Sequence, residues 1–245
     1  MLITNNITGE SPKVIHAPDV SAIWSDMCRR FFSAQHKPAK IDDRLKILTW
    51  NNLESSPLEQ CLEVRSIPYE VLGKHLVTWN NLQKFHLNLE CLHRNKNEYF
   101  MGLDAHDVLV IGEPAEVIEI FQEFDCDMVF NSETYFYPNL QIPYYQDNKR
   151  FQDTIASNKY RYLNSGAWIG KREFCLDFFN DCSKIRIWEL FDCTSCLKLF
   201  NCDQSVVHSV FSKYHPSVVL DYDCKIFNNI ALISAEEISY ELMML

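Results

Sequence analysis

The sequence lacks the segments that would carry a chain into or across a membrane. No window of about 18 residues is free of charged side chains, so no membrane span is predicted. The opening stretch, MLITNNITGESPK, has no positively charged start followed by an apolar run, and no signal peptide is predicted. Internal repeats and low-complexity tracts are also absent. These absences favour a globular protein in a cytoplasmic compartment.

Positive charge is scarce as well. Lys and Arg total 23 against 33 Asp and Glu, which gives a formal net charge of −10. A negative surface repels phosphate backbones, so broad nucleic-acid binding is disfavoured. The negative charge does not argue against a nucleotide ligand, because a bound divalent cation can make the local electrostatic potential positive. Hydrophobic residues make up 47% of the 245 residues and aromatics 13%, which suits a large core and a cleft that stacks on ringed ligands.

The ten cysteines lack the two close pairs that a zinc finger would need. A structural zinc site is one alternative for a cluster with a single C-x-x-C, which comprises Cys182, Cys193, Cys196 and Cys202 with His208 nearby. Other cysteines lie inside apolar runs, where a reduced thiol is an ordinary core residue. We therefore predict that the cysteines are mostly reduced, as in the cytosol.

Strands and helices alternate along the middle of the chain. Residues 1–44 are predicted to be an irregular N-terminal extension broken by prolines, with one short helix from Ala22 to Phe32. Over residues 45–131, apolar runs of strand length alternate with amphipathic helices, which is typical of a mostly parallel sheet with helices on both faces. We predict one α/β domain over residues 45–245, with a long aromatic-rich loop at residues 132–165.

A pair of carboxylates follows a buried strand directly. The segment Asp104-Ala105-His106-Asp107 comes after the apolar run Glu98 to Leu103, and ligands of such sheets bind beyond the carboxyl ends of the strands. Two carboxylates at positions i and i+3 of a turn can converge on one divalent cation, with Mg²⁺ and Mn²⁺ favoured by oxygen ligands. The alternative is that Asp104 caps the turn and Asp107 is merely solvated.

Five segments in chain order make the sequence similar to a known family. They are MGLDAHDVLVIGEP, DMVFNSETYFYPN, RYLNSGAWIG, CDQSVVHSVF and DYDCKIFNN. Together they resemble the glycosyltransferase domain of the procollagen lysyl hydroxylases and, more loosely, the procollagen galactosyltransferases. The resemblance extends from about Lys46 to Asn229.

This resemblance implies a GT-A fold, a UDP-sugar donor and Mn²⁺ (or Mg²⁺) as the cofactor. The nucleotide-binding half would span about residues 45–131 and the acceptor-binding half about residues 132–245. The implied metal ligands are Asp104 and Asp107, and the implied catalytic residues are Asp203 and Gln204, with Asp203 nearest the reacting sugar. The implied substrate-binding residues are Thr49 and Trp50 near the uracil, His106 on the nucleotide, Glu133 on a sugar hydroxyl, and Asn164, Ser165 and Gly166 around the sugar.

Structural alternatives exist for several of these residues. The LNSG segment could be an ordinary tight turn, and Asp203 could simply cap the helix that follows it. Glu133 could be a core carboxylate satisfied by backbone N–H groups. Asn and Ser nevertheless offer both donors and acceptors, as sugar hydroxyls require, and Gly166 allows close backbone approach.

The sequence departs from the family pattern in two places. The family's third metal ligand is a His in an apolar-His-Gly segment after the I-F-x-N stretch, whereas this sequence has no His after His215. The family's Gly- and Lys-containing donor loop is matched only loosely, with Lys74 as the residue that could reach a phosphate. No Fe(II)-binding His-x-Asp pattern is present either, and a free-standing bacterial or viral transferase is expected.

The predicted function is transfer of a hexose from UDP-glucose or UDP-galactose to an acceptor hydroxyl on a protein, a glycan or a modified nucleobase. Two other functions are possible. A catalytically silent module would bind the UDP-sugar without turnover, and a metal-dependent phosphohydrolase would use the same aspartates on simple esters.

Overall fold

The computed structural model describes residues 2–18, 22–190, 200–231 and 237–241. The strands in these ranges are β1 (Leu2–Asn5), β2 (Val14–His16), β3 (Leu45–Trp50), β4 (Tyr69–Leu72), β5 (Tyr99–Asp104), β6 (Val108–Val110), β7 (Met128–Glu133), β8 (Tyr162–Lys171), β9 (Val218–Leu220), β10 (Phe227–Asn229) and β11 (Ile238–Glu241). The helices are α1 (Ala22–Ser33), α2 (Pro57–Val64), α3 (Gln83–Arg94), α4 (Pro114–Glu123), α5 (Pro143–Ile155), α6 (Arg172–Lys184) and α7 (Asp203–Tyr214), with a 3-10 turn at Ile187–Glu189.

A six-stranded sheet in the order β4-β3-β5-β8-β7-β9 forms the centre of the fold. All its pairings are parallel except those of β8, which is antiparallel to both β5 and β7. Alternate residues of β3 enter two separate cores, with Ile47 in one and Leu48 in the other. Helices α1, α2 and α4 cover the first core, while α3, α5, α6 and α7 cover the second. The predicted α/β architecture with a mostly parallel sheet is confirmed.

The reversed direction of β8 positions the site. Because β8 runs against its neighbours, its first residues lie at the edge where β5 and β7 end. The register of β7 against β8 shifts between Phe130 and Asn131, so that Phe130 pairs with Trp168 and Asn131 with Asn164. The LNSG segment therefore lies in an irregular stretch of a strand, and the alternative of an ordinary tight turn is corrected.

The N-terminal segment differs from the predicted irregular extension. Strand β2 pairs in parallel with β10 and antiparallel with β6, and β1 pairs with β11. Val14 and Ile15 are fully buried, and α1, the one helix expected here, packs Met27 and Phe31 into the core. The prolines that indicated irregularity do not lie within these elements, since Pro12 and Pro18 flank β2 and Pro38 follows α1.

The stretch predicted as a long loop at residues 132–165 also contains regular structure. Helix α5 begins at Pro143, where the missing N–H of proline is tolerated, and β8 begins at Tyr162. The buried face of α5 includes the polar Gln152 as well as Tyr145. Because this face is not uniformly apolar, the sequence lacks the clear apolar periodicity from which a helix is predicted. None of the helices in the described ranges is long and apolar enough to span a bilayer.

The cysteine cluster considered for zinc is only partly within the described residues. Cys193 and Cys196 lie outside them, and the eight described cysteines are free thiols. His208 is fully buried on α7, with Nδ1 3.0 Å from the Gln152 amide nitrogen and Nε2 3.0 Å from the Tyr137 carbonyl oxygen. Its ring stacks on Phe136 at 4.7 Å. The imidazole therefore holds the segment after β7 against α7.

Acid is expected to weaken the fold through His208. Burial lowers the pKa of His208 to about 4, whereas an unfolded histidine has a pKa near 6.5. Below that unfolded value the unfolded chain gains a proton that the folded chain does not, so stability is lost as the pH falls towards 4. Between about pH 7 and pH 5 the loss is about 2 kcal/mol. Urea unfolding at both pH values measures it. His208→Gln, neutral throughout, should remove this part of the slope, and an unchanged slope in that variant would contradict the assignment.

Candidate metal and sugar site

Two carboxylates stand at the carboxyl edge of the central sheet. Asp104 is the last residue of β5, and Asp107 follows in the turn that leads to β6. Their side chains keep 27% and 21% of their surface exposed, so both can reach a ligand in the open cleft. The sequence predicted this strand-end position correctly, because a buried apolar run ends at the first aspartate.

His16 is the third group of the cluster. Its ring comes from the end of β2, and Nε2 lies 3.4 Å from Asp107 Oδ2. One ligand atom each from His16, Asp104 and Asp107 lies within 4.8 Å of the others. The His16 side chain is buried, and Nε2 has no hydrogen-bond partner among the described residues. One imidazole nitrogen with two carboxylate oxygens is a donor set that suits a divalent cation, and a buried Nε2 without a hydrogen bond fits a cation at this point.

The cluster concentrates negative charge. Burial raises the pKa of Asp104 above its usual range, and the neighbouring Asp107 adds to the rise, while Lys84 opposes it. Burial also disfavours the ionised form of Asp107, but the adjacent His16 lowers the pKa of that carboxyl. For His16, burial alone would lower the pKa, and Asp107 and Asp104 raise it instead. A bound cation would relieve the repulsion between the two carboxylates.

Gly166 lies directly against this cluster. A Cβ atom built on Gly166 would stand 2.4 Å from His16 Cε1 and 2.7 Å from Asp104 Oδ2, both far inside contact distance. The sequence predicted a close backbone approach at this glycine. The structure places that approach beside the imidazole and the carboxylate.

Lys84 links the carboxylate pair to the opposite wall of the cleft. From the first turn of α3, its Nζ donates to Asp104 Oδ1 at 2.7 Å and to Asp203 Oδ2 at 3.1 Å, and it lies 5.0 Å from the centre of the Trp50 ring. The two aspartates raise the pKa of Lys84 despite its burial, so the ammonium stays charged. Lys74, the lysine that the sequence suggested, bonds instead to Glu59 and to backbone carbonyls outside the cleft.

A hydrogen-bonded set of polar side chains forms the second part of the site. Glu133 accepts from Gln204 Nε2 at 2.8 Å and from Asn164 Nδ2 at 3.0 Å. Ser165 Oγ donates to Asp203 Oδ2 at 3.2 Å. Glu133 thus accepts from side-chain amides and takes part in the polar wall of the cleft.

Asp203 lies in the first turn of α7, and Cys202 occupies the cap position. The carboxylate of Asp203 accepts from Lys84 and Ser165. The alternative that Asp203 only caps this helix is corrected.

Two cavities meet at the carboxylate pair. The larger, of about 470 Å³, extends over Glu133, Asn164, Ser165, Asp203 and Gln204. The smaller, of about 190 Å³, is lined by Trp79, the exposed His106 and the exit of β3. Both cavities are bounded by Lys84, Asp104 and Asp107, which form the junction between them. An elongated ligand can therefore extend from the smaller cavity across this junction into the larger one.

The two predicted residues of β3 occupy different environments. Trp50 is buried, donates its indole N–H to Asn88 Oδ1 at 2.8 Å and forms part of the wall of the smaller cavity. Thr49 is fully buried, lines neither cavity, and its hydroxyl has no partner among the described residues. The structure therefore brings together every predicted site residue except Thr49.

His16 and Lys84 are two site residues that were not predicted from the sequence. His16 follows the apolar residues Val14 and Ile15, but it precedes all five matching segments. Lys84 lies on the buried face of α3 together with Asn88, four residues later. A lysine and an asparagine on the apolar face of a helix are a signal of buried polar function that could have identified Lys84.

Comparison with known proteins adds two findings. Residues 79–242 match the family model described as the PLOD GT domain, a range that includes the two aspartates, Lys84 and Asp203 but not His16. "Uncharacterized protein R699" of Acanthamoeba polyphaga mimivirus is 25% identical over 133 residues, which are 54% of this chain and 24% of that protein. The aligned part thus spans about a quarter of that relative's length.

Proposed function

Because the chain belongs to the PLOD GT domain family, the glycosyltransferase domains of procollagen lysyl hydroxylase and procollagen glycosyltransferase type, we propose that it transfers a hexose from a UDP-sugar to an acceptor hydroxyl. The observation that carries this proposal is the pair of cavities joined at Asp104, Asp107 and Lys84. A UDP-sugar has a nucleoside, a diphosphate and a sugar in a row. These three parts match the smaller cavity, the junction and the larger cavity in that order.

The diphosphate belongs at the junction of the two cavities. His16, Asp104 and Asp107 would hold Mn²⁺ or Mg²⁺ there, and the cation, when bound, supplies positive charge against the leaving UDP. Lys84 adds a second positive charge from the α3 side. Its ammonium is buried and fixed by two carboxylates, so little reorganisation is needed when negative charge develops on the diphosphate.

The sugar belongs among the polar side chains of the larger cavity. Asn164, Ser165 and Gln204 provide both donors and acceptors for sugar hydroxyls. Asp203 is linked to the junction by its hydrogen bond from Lys84, and we assign it the place beside the reacting carbon. Glu133 orients the two amides and can itself accept from a hydroxyl.

The same geometry supports our proposal of a nucleotide-binding half and an acceptor-binding half. Trp50, Trp79 and His106, which would border the nucleoside, belong to the first half, about residues 45–131. Glu133, Asn164 and Asp203 belong to the second, about residues 132–245. The tyrosine rings at positions 135 and 137 are 46% and 51% exposed on the larger cavity and can stack on an acceptor from a protein, a glycan or a modified nucleobase.

The first experiment is UDP release from UDP-glucose and UDP-galactose, with and without Mn²⁺, by the wild type and Asp104→Asn. We expect slow donor hydrolysis that requires Mn²⁺ and that falls at least about 100-fold in the variant, because a carboxylate ligand and its charge are lost. The preferred donor would identify the hexose. Asp125→Asn, a change outside both cavities, serves as the matched control.

The rival functions give different results in that experiment. A silent module would bind UDP in calorimetry and release none from any donor. A phosphohydrolase would liberate phosphate from simple esters, which a transferase should not do. Absence of both UDP binding and UDP release in well-folded protein would refute the proposed diphosphate site.

A further inference from the structure

A buried asparagine lies behind His16, on the opposite side of the ring from the carboxylates. Asn131 belongs to β7 and is fully buried. Its side-chain nitrogen stands 3.1 Å from His16 Nδ1, whereas His16 Nε2 faces Asp107. The amide oxygen of Asn131 has no partner among the described residues.

The Asn131 amide can either donate a hydrogen bond to His16 Nδ1 or accept one from it. The choice decides whether His16 Nε2 carries a proton or a free lone pair. If the Asn131 amide donates to Nδ1, a neutral ring carries its proton on Nε2 and offers no lone pair to a cation. If the amide is turned by half a rotation, its oxygen accepts from Nδ1–H, and Nε2 presents a lone pair towards Asp104 and Asp107. The amide oxygen and nitrogen have nearly the same shape, so both orientations fit the same space.

We propose that Asn131 is a positioning residue for the cation site, with its amide oxygen accepting from His16 Nδ1–H so that Nε2 is free to coordinate. The inference rests on the proposed function, because it presumes a cation between His16, Asp104 and Asp107. Metal-binding imidazoles commonly donate their other N–H to a carbonyl or a carboxylate.

The location of Asn131 supports a dedicated role. It follows Phe130, at the point where the register of β7 against β8 shifts, and this irregular stretch places Gly166 against the imidazole. A buried amide with an unpaired oxygen is costly, by about 1–3 kcal/mol, in a strand whose other residues are also buried.

The pair also connects two sheets. Strand β2, which bears His16, pairs with β6 and β10, and these pairings fix only its backbone. Asn131 belongs to the central sheet that also carries Asp104. The Asn131 contact therefore sets the orientation of the imidazole relative to the carboxylates of the other sheet.

The test compares Asn131→Leu with Asn131→Asp in the full chain, with Mn²⁺ alone as the probe. Leucine has a similar size but cannot accept, and we expect about a 10- to 100-fold loss of Mn²⁺ affinity by calorimetry. A carboxylate can only accept, so Asn131→Asp is expected to match or exceed the wild-type affinity. A merely structural asparagine would not give this rescue.

Nitrogen chemical shifts of the imidazole give a second readout without metal. The wild type and Asn131→Asp are expected to show His16 protonated at Nδ1, with the signal assigned by its loss in His16→Asn. A proton on Nε2 with none on Nδ1 in the wild type would overturn the inference even if Asn131→Leu failed to fold. Equal Mn²⁺ affinity in Asn131→Leu and wild type would overturn it as well, and leave the proposed function standing. No Mn²⁺ binding by the wild type would instead remove the metal site on which the proposed function depends.

Discussion

Replacement of Gly166 by alanine is expected to abolish both Mn²⁺ binding and donor hydrolysis. The added methyl group would lie 2.4 Å from His16 Cε1 and 2.7 Å from Asp104 Oδ2, and it cannot be accommodated without moving one of them. Either movement separates two atoms of the cation site, and misplacement by about 1 Å is enough to cost about 100-fold in rate. Mn²⁺ titration and UDP release measure the two losses separately.

Gly9→Ala is the matched control for that substitution. A Cβ at Gly9 meets no atom within 4 Å, although its φ of +78° makes alanine somewhat strained. We therefore expect a small loss of stability there and unchanged Mn²⁺ affinity. Wild-type Mn²⁺ affinity in Gly166→Ala would show that cation binding does not require the positions of His16 and Asp104 seen in the structure.

Removal of the Lys84 charge is expected to have the second largest effect. In Lys84→Met, Asp104 and Asp203 lose the ammonium that lies between them, and the diphosphate loses a fixed positive charge. We expect kcat/KM for the donor to fall about 10²–10³-fold, the usual range for one preorganised electrostatic group. Affinity should fall for UDP but not for uridine, since only UDP has the phosphates that the ammonium would contact.

Lys74→Met provides the comparison. That lysine bonds to Glu59 and to carbonyls beside it, and it lines neither cavity. Wild-type UDP affinity is expected in this variant, together with a small effect on stability. Equal losses of uridine and UDP affinity in Lys84→Met would indicate that the lysine supports the cleft wall rather than the phosphates.

The end of a buried strand at Asp104 was predicted correctly because it depends on local pattern. The apolar run before this residue belongs to one short segment and is recognisable without knowledge of the rest of the fold. The alternation of strand and helix over residues 45–131 is equally local, and it was sufficient to indicate the α/β class.

The features that the sequence did not predict depend on pairing between distant segments. The family's third ligand follows the I-F-x-N stretch, where this sequence has no His, whereas the His16 that lies beside Asp104 and Asp107 precedes every matching segment and is carried there by β2, which pairs alongside β10. Pairing between distant strands leaves no trace in the spacing of residues. Regular structure in the N-terminal segment was missed for the same reason, since β2 is only three residues long and is stabilised by β6 and β10 rather than by its own pattern.

The origin of His16 in β2 has a consequence for folding. A cation held by His16, Asp104 and Asp107 would cross-link the beginning of the chain to the end of a central strand. Its binding free energy would then contribute to the docking of β2, because only the docked chain offers all three ligands. At a cation concentration of about 100 times Kd the folded state would gain about 2.7 kcal/mol. Amide hydrogen exchange along β2 would in that case slow as the cation site fills. Docking of the N-terminal segment and assembly of the cation site would then be one equilibrium.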